Sequence, residues 1–302
     1  MITFGIIARQ RIPELDDLIS SLLAIDGPSE REVVVGVETH GASCPEETVD
    51  DHGVRWIALP ARRGLGYNRN MVLAAARGHI MVGIDDDCEP GPGWLRALIG
   101  AMDDPLVDAA VGRVEIPPSG FVGDSISALG FPAGGSAGYE TMFTVHPDGS
   151  TDNISTLNCA LRVKVVRDLG GFDESLTYGG EDTELAHRLR AGGGRIVYVP
   201  DALLVHPART SLGEFARWFY VRGRAKRQFA RRVPVSGYVG ARLTSYGRIV
   251  RDHLTDPKIV LIVPLLVTSI VLQQAGFIAE SVSPTSAPAG TSMPEPGDDA
   301  TC

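Results

Sequence analysis

The stretch that decides the fold is IMVGIDDDCEP, residues 80–90, an apolar run that ends in three consecutive aspartates, Asp85–Asp87. The apolar run predicts a buried strand, and open α/β sheets bind ligands just beyond the carboxyl ends of their strands. Three adjacent aspartates repel one another unless a cation lies among them, and a divalent cation can in turn hold a diphosphate. The stretch therefore indicates a metal–phosphate site. The alternative is an Asp-rich turn before a helix that Pro90 or Pro92 opens.

The chain on either side of this stretch alternates between strand and helix patterns, which predicts an α/β fold with a parallel sheet and right-handed crossovers. We predict strands at Ile2–Ala8, Glu32–Glu38, Val54–Leu59, His79–Ile84 and Asp108–Ile116. We predict helices at Pro13–Ile25, Gly66–Arg77 and Trp94–Met102.

The next part of the chain is less regular. Residues Pro117–Asp152 are rich in Gly, Pro and Ser, and we predict a loop that faces the ligand. Order is expected to resume at Thr156–Val163, and Glu181–Ala191 fits a helix that ends at a run of three glycines. Two short strands are predicted at Arg195–Val199 and Ala202–Val205.

The C-terminal third suggests contact with a membrane. We predict a basic, aromatic-bearing helix at Leu212–Arg232. Ile259–Ala279 then runs for 21 residues without a charge, about the length that crosses ~30 Å of hydrocarbon. Several polar residues and Pro264 dilute it, so a re-entrant or in-plane segment, or a surface covered by a partner, are the alternatives. The tail from Ser281 has no apolar pattern and is expected to be disordered.

Charge is distributed unevenly along the chain. The net charge is −9, yet residues 217–258 hold eleven Lys and Arg against two Asp, a net of +9 that leaves −18 elsewhere. A basic block before an apolar segment favours an anionic membrane surface, and the acidic remainder argues against nucleic acid. Four scattered cysteines without a CxxC pair argue against a zinc site and a disulfide framework. The N-terminus enters a strand at once, so no signal peptide is expected.

A second acidic cluster, Glu181 and Asp182, follows two glycines and opens a predicted helix. Acidic residues at a helix N-terminus are often only stabilising caps. The glycines allow the backbone to approach a ligand closely, and a carboxylate in a partly enclosed site can act as a general base.

Four blocks in order give the chain a resemblance to family 2 glycosyltransferases with the GT-A fold. They are RRGLGYNRNMVLAAARGHIMVGIDDDCEP, NCALRVKVVRDLGGFDE, GGEDTELAHRLRAGG and VYVPDALLVHPART, and the resemblance covers about residues 1–210. It implies that 1–210 form the catalytic domain. We accordingly divide the remainder into a basic membrane-proximal region, 211–258, a membrane-embedded or spanning helix, 259–279, and the tail, 280–302.

The resemblance also implies roles for single residues. Asp85 and Asp87 match the two aspartates of the family's DxD motif, with Asp87 as direct metal ligand and Asp86 in the variable position. Asp182 matches the catalytic base and Glu181 its companion. The resemblance further implies that Arg69 and Asn70 contact the donor, and that His206 contacts the metal or the diphosphate. A lone histidine beside a proline is otherwise more often structural.

Two departures from the family pattern lie in the expected nucleotide pocket. A single acid, Glu38, stands where the family usually has an acidic pair before Gly-Ser, and the first strand ends in Ala8-Arg9-Gln10-Arg11. These changes affect which donor is bound more than which reaction occurs.

The function implied is inverting transfer from a nucleoside-diphosphate sugar, with Mn²⁺ or Mg²⁺, to a hydroxyl or phosphate acceptor. The membrane features favour a polyprenyl- or dolichyl-phosphate-linked glycan as acceptor, at the cytoplasmic side of the cell membrane, in surface-glycan or protein glycosylation. Two alternatives remain: a sugar-nucleotide pyrophosphorylase, although MITFGIIARQR lacks the glycine-rich loop such enzymes use, and a non-catalytic glycan-binding protein.

Overall fold

The computed structural model describes residues 1–42, 45–131, 144–232 and 246–283. The chain divides into two compact units. The first unit comprises residues 1–113 and 144–204, and the second comprises residues 114–131 and 205–283.

Nine strands form one sheet. In chain order they are β1 (Ile2–Ala8), β2 (Arg31–Thr39), β3 (Glu46–Val49), β4 (Arg55–Pro60), β5 (Ile80–Asp85), β6 (Glu89–Pro90), β7 (Ala109–Glu115), β8 (Asn158–Arg162) and β9 (Ile196–Val205). The helices between them are α1 (Pro13–Ala24), α2 (Leu65–Ala75), α3 (Trp94–Ala101), α4 (Gly120–Ser127), α5 (Val163–Asp168) and α6 (Glu181–Ala191).

The strand order is β3-β4-β2-β1-β5-β8-β7-β9-β6. Strands β4, β2, β1 and β5 are parallel, whereas β3 pairs antiparallel with β4, β8 with β5, and β7 with β8. The α/β class is therefore confirmed, but the sheet is mixed, because β3 and β8 run antiparallel to the strands beside them. Hydrophobic patterning reports which residues are buried and not the direction in which a strand runs, so the sequence did not reveal the reversal at β8.

The two faces of β1 pack on different helices. Phe4 belongs to a core cluster that includes Leu15 of α1 and Trp94 of α3, and the Phe4 and Trp94 rings stack with centroids 6.4 Å apart. On the opposite face a Cβ at Gly5 would lie 3.0 Å from Val72 Cγ1 in α2. Because this glycine lacks a side chain, α2 lies close against the sheet, which fixes the position of the residues on its first two turns.

Several predicted elements need correction. The predicted loop over Pro117–Asp152 contains helix α4, whose short apolar stretch is hard to recognise in the sequence among glycines and serines. Residues 132–143 of the predicted loop lie outside the described residues. The two predicted short strands are one continuous strand, β9, because Pro200 and Asp201 stay extended. Strand β3 was not predicted, since all four of its residues are exposed and carry no apolar alternation.

The second unit contains α4 and three C-terminal helices: α7 (Leu212–Phe229), α8 (residues 246–252) and α9 (Ile259–Val282). Among the described residues, α9 is the one helix long and apolar enough to cross a membrane by length and composition, with mean hydropathy 2.0 over an 18-residue window. It extends beyond the predicted Ala279, so the first residues of the predicted tail are helical. The predicted disorder from residue 284 onward lies outside the described residues.

Candidate active site

Two of the predicted site residues, Asp85 and Glu38, lie at the same edge of the sheet. Asp85 is the last residue of β5 and is in register with Ile7 of β1, while Glu38 lies near the end of β2. Since β2, β1 and β5 are parallel, their carboxyl ends meet at the same edge. Asp85 and Glu38 are therefore carried to the side of the sheet at which α/β folds bind ligands.

The three consecutive aspartates form a turn directly after β5. The backbone N–H of Cys88 donates to the carbonyl oxygen of Asp85 at 3.3 Å, and Asp85, Asp86 and Asp87 are each half-buried. Burial raises the pKa of the Cys88 thiol, and the negative charges of Asp85, Asp87 and Asp86 raise it further. The turn thus concentrates carboxylate oxygens, which are the ligands that Mg²⁺ and Mn²⁺ prefer, and its donor set fits such a cation.

Helix α2 directs three consecutive side chains to four partners in three segments of the chain. The Asn68 amide donates to Glu38 Oε1 at 3.0 Å, which connects α2 to β2. Arg69 forms a buried ion pair with Glu181 at the start of α6. Asn70 donates from Nδ2 to the Phe172 carbonyl and to Glu174 Oε1, both at 2.9 Å.

The beginning of α2 also packs closely on the segment before α6. A Cβ at Gly66 would lie 2.6 Å from the carbonyl oxygen of Asp173, and the Asn70 side-chain oxygen accepts the Phe172 N–H at 2.8 Å. The predicted donor residues Arg69 and Asn70 therefore hold the acidic helix α6 and its preceding segment against α2.

The second acidic cluster opens α6. Gly179 and Gly180 have φ of 110° and 95°, a region that favours glycine, and they turn the chain into the helix. Glu181 is 1% exposed, and its Oε2 has no hydrogen-bond partner within the described part of the chain. Asp182 is half-buried, and its Oδ1 accepts the N–H of Thr183 at 2.7 Å. Asp182 is thus the more accessible carboxylate of the pair.

Cys159 of β8 lies where the two acidic clusters come together. Burial raises the pKa of its thiol to about 12; the Gly83 N–H and the Arg69 charge oppose the shift, whereas Asp182 and Asp85 add to it. A small cavity is present here, lined by Gly5, Ile7, Arg69, Val72, Met81, Gly83, Ile84, Asp85, Thr156 and Cys159. Asp85 and Arg69 therefore line one cavity, and the Arg69–Glu181 pair holds the start of α6, which carries Asp182, beside it.

His206 follows β9 and belongs to the second unit. It is 4% exposed, and its backbone N–H donates to the carbonyl oxygen of Glu115. The imidazole Nδ1 lies 2.9 Å from the carbonyl oxygen of Pro207. Its assignment as a ligand of the metal or diphosphate stays a prediction.

Sequence reasoning missed two residues of this site. Asn68, which holds Glu38, is 1% exposed, and a polar residue on the inner face of an otherwise apolar alanine-rich helix was the available signal. Cys159 lies inside the quoted block NCALRVKVVRDLGGFDE, but a single buried cysteine gives no signal in a sequence, since most are ordinary core residues.

Comparisons with known proteins show the family to which the chain belongs. A family model described as Glycosyl transferase family 2 matches residues 3–170. A pre-mycofactocin glycosyltransferase of Mycobacterium tuberculosis is 29% identical over 228 residues, which cover 71% of this chain and 44% of the relative. The chain thus spans less than half the length of this curated relative.

Two solved structures resemble the fold. The mannosyltransferase PcManGT of Pyrobaculum calidifontis, in complex with GDP-Man and Mn²⁺, has a TM-score of 0.51 at 17% identity, over 94% of this chain and 76% of its own. GalNAc-T7 with UDP, GalNAc and Mn²⁺ has a TM-score of 0.52 at 15% identity, over 85% of this chain and 57% of its own. The fold is that of the GT-A glycosyltransferases. The chain belongs to glycosyltransferase family 2, since the family model matches more than half of its length.

Proposed function

We propose that this chain moves a sugar from a nucleoside-diphosphate sugar to a hydroxyl or phosphate acceptor, with inversion at the anomeric carbon. The observation that carries the proposal is the cavity lined by Asp85, Arg69 and Cys159 at the carboxyl end of β5, together with the Arg69–Glu181 pair that holds the start of α6 beside it. Such a place offers carboxylates for a cation on one side and an accessible carboxylate for proton transfer on the other. A structural cap at α6 would not need the Arg69–Glu181 pair beside it.

The donor is held by the acidic edge of the sheet. Asp85, Asp86 and Asp87 would hold Mn²⁺ or Mg²⁺, with Asp87 as direct ligand and His206 as a further ligand. When bound, the cation neutralises the diphosphate and improves it as a leaving group. Glu38, fixed by Asn68, is placed to accept a hydrogen bond from the nucleobase. Arg69 and Asn70 keep α6 in place beside the donor.

Asp182 acts as the general base. Its carboxylate takes the proton from the acceptor as the acceptor oxygen attacks the anomeric carbon from the face opposite the diphosphate. The bond from that carbon to the diphosphate breaks in the same displacement, so configuration inverts and no covalent intermediate with the protein is required. Glu181, buried and paired with Arg69, orients the start of α6 rather than exchanging protons.

We further propose that the acceptor is linked to a polyprenyl or dolichyl phosphate, or to a glycan carried on one, and that the enzyme works at the cytoplasmic surface of the cell membrane. Support comes from the apolar helix α9 and from the basic segment 217–258 immediately before it. A positive charge excess next to an apolar segment favours an anionic surface, such as the cytoplasmic leaflet. Surface-glycan assembly and protein glycosylation are the processes that use such acceptors.

The test is release of nucleoside diphosphate from a panel of nucleotide sugars, with Mn²⁺ or Mg²⁺, in the presence of lipid-phosphate acceptors. Pre-mycofactocin belongs in the acceptor panel because a relative carries that name. We expect acceptor-dependent release of nucleoside diphosphate that excess EDTA abolishes. In a parallel assay with added pyrophosphate, its consumption with formation of a nucleoside triphosphate and a sugar 1-phosphate would instead identify a pyrophosphorylase. Glycan binding without turnover would identify a binding protein.

A further inference from the structure

The outward face of α9 is a continuous apolar stripe. Its members recur at intervals of three, four or seven residues, so they lie on one side of the helix. They are 39% to 77% exposed, and they are Val260, Val263, Val267, Val271, Ile278 and Val282. At 1.5 Å per residue this valine stripe is about 33 Å long. Apolar residues scattered singly on a surface need no explanation, but a stripe of this length indicates a partner.

The inward face of α9 is packed against α7 along much of its length. A Cβ at Gly276 would lie 2.0 Å from the carbonyl oxygen of Tyr220, and a Cβ at Gly223 would lie 2.1 Å from that of Gln273. The two backbones therefore touch, which only glycine permits at these positions. Further along, Leu265 joins a cluster with Phe215 and Phe219 of α7.

A buried charge ties the end of α9 to α7. Glu280 is 0% exposed, and its carboxylate accepts hydrogen bonds from Arg224 Nε at 3.0 Å, from Arg224 Nη2 at 2.8 Å and from Gln228 Nε2 at 3.1 Å. If α9 left α7 to cross a bilayer alone, Glu280 would lose these partners. A buried carboxylate without its cation is strongly unfavourable, so the α7–α9 pair behaves as one unit.

Helix α7 cannot accompany α9 into hydrocarbon. Five of its residues are cationic: Arg217, Arg222, Arg224, Lys226 and Arg227. Cationic side chains are excluded from the centre of a bilayer, but at its surface they lie among the headgroups while their aliphatic stems stay in apolar contact.

We propose that α9 lies in the plane of an anionic membrane, with the valine stripe in the acyl region and the basic chains of α7 among the lipid phosphates, and that it does not cross the bilayer. The charge supports this partner, because residues 217–258 carry eleven Lys and Arg against two Asp. A second copy of the chain fits the stripe less well, since pairing stripe to stripe would bring two such cationic segments together. The proposal does not depend on the transfer reaction.

The first experiment measures binding of the full-length protein to preformed vesicles of phosphatidylcholine with and without phosphatidylglycerol. The test variant is Val267→Glu/Val271→Glu, on the stripe. The matched control is Val49→Glu/Leu106→Glu, which introduces the same two charges at exposed apolar residues of the first unit. Val49 is 63% exposed and Leu106 is 70% exposed. Circular dichroism and thermal melting of each variant confirm that it folds like the wild type.

We expect binding to the anionic vesicles to fall by about tenfold or more in the stripe variant, since two charges enter the acyl boundary, and to stay unchanged in the control. Equal binding by the stripe variant and the wild type would overturn the proposal. A second result would also overturn it: the wild type is a dimer that does not bind vesicles, and the stripe variant is a monomer. The stripe would then be a protein interface.

The second experiment separates an in-plane helix from a spanning one. A cleavable epitope is placed after Cys302, and the detergent-free protein is added to closed anionic vesicles. In the proposed arrangement the epitope stays on the outer side and an added protease removes it from all of the bound protein. Protection of the epitope until detergent is added would show that α9 crosses, and the in-plane proposal would fail even if the first experiment succeeded.

Discussion

Asp182 and Glu181 are neighbours in sequence but lie in different surroundings. Glu181 is 1% exposed and forms an ion pair with Arg69. Asp182 is half-buried, and its carboxylate accepts a hydrogen bond from the backbone N–H of Thr183. A carboxylate that exchanges protons with an acceptor must be accessible to it. This difference therefore favours the proposed roles, with Asp182 as the base and Glu181 as its companion.

Replacing Asp182 by asparagine tests the role of the base. We expect donor and Mn²⁺ binding to persist, because the side chain keeps its shape, while kcat falls by ~10²–10⁴-fold. The measurement is acceptor-dependent turnover beside donor binding by calorimetry. A kcat within about threefold of wild type would move the base to another carboxylate, with Glu181 and Asp173 next to be examined.

Replacing Asp87 by alanine tests the metal site. We expect loss of Mn²⁺-dependent donor binding with an unchanged melting temperature in the absence of donor, because Asp87 lies in a partly exposed turn. Asp201→Ala, an exposed aspartate on β9, is the control and should bind donor normally. Donor binding by D87A at wild-type affinity would remove Asp87 from the ligand set.

At this scale the sequence predicted that Asp85 lies at the end of a buried strand and that Glu181 and Asp182 open a helix, and both positions are confirmed. The roles of these acids stay predictions. The sequence did not predict their protein partners. The bond from Asn68 to Glu38 joins residues 30 positions apart, and the Asn70 amide reaches residues more than 100 positions away. Such pairings depend on the tertiary fold and leave no local pattern.

Helix α2 connects the other elements of the site. It packs on the sheet through Gly5, contacts the segment before α6 through Gly66, and reaches α6 itself through Arg69. The geometry of the acidic helix relative to the acidic edge of the sheet therefore depends on α2. Its sequence predicted a helix, and the structure assigns that helix a bridging position.

Breaking the Arg69–Glu181 pair should separate α2 from α6. The Arg69 side chain is 14% exposed and that of Glu181 is 2% exposed, so Arg69→Met leaves a buried carboxylate without its cation. We expect a loss of about 3–5 kcal/mol in the free energy of unfolding, measured by urea titration. The control is Arg96→Met, whose pair with Asp26 is largely exposed and should contribute less than about 1 kcal/mol. Equal effects would contradict the bridging position.

The contact between α7 and α9 can be tested in the same way. Gly276→Ala would place a Cβ 2.0 Å from a backbone oxygen, so the helices must separate, and we expect a loss of about 1–3 kcal/mol. Gly247→Ala is the control, because nothing lies within 4 Å of its Cβ position and its segment is helical. That substitution should stabilise slightly. Thermal melting of the two variants gives the comparison.

At the scale of the whole molecule, the composition of the apolar segment and its role in packing lead to different expectations. Its composition predicts a membrane segment, yet Ile262, Leu265 and Leu266 complete the core of the second unit, with Ile126, Phe215 and Ala128. Hydropathy alone does not distinguish a face buried against protein from a face exposed to lipid. The sequence therefore predicted the apolar segment, but not which of its faces packs on protein, and its contact with a membrane stays a prediction.

A chain that ends at Lys258 tests the contribution of α9 to the core of the second unit. Removing α9 exposes Phe215 and Phe219, which lie in the core of the second unit. We expect the truncated protein to lose the thermal transition of the second unit and to associate through the exposed aromatic surface, while the transition of the first unit remains. Scanning calorimetry with and without donor distinguishes the two transitions. A truncated chain with both transitions intact would mean that α9 adds nothing to the second unit.

The order of strands in the sheet has a consequence for synthesis on the ribosome. Strand β5, whose residues are almost all buried, has β1 on one side, but its other neighbour, β8, begins only at Asn158. During translation the edge of β5 therefore stays unpaired until that later segment emerges, a delay on the order of 4–15 s at ordinary elongation rates. An apolar strand edge left open for that time is a target for chaperones and for wrong pairing between nascent chains. Codon choice between β5 and β8 is therefore expected to influence the yield of folded protein.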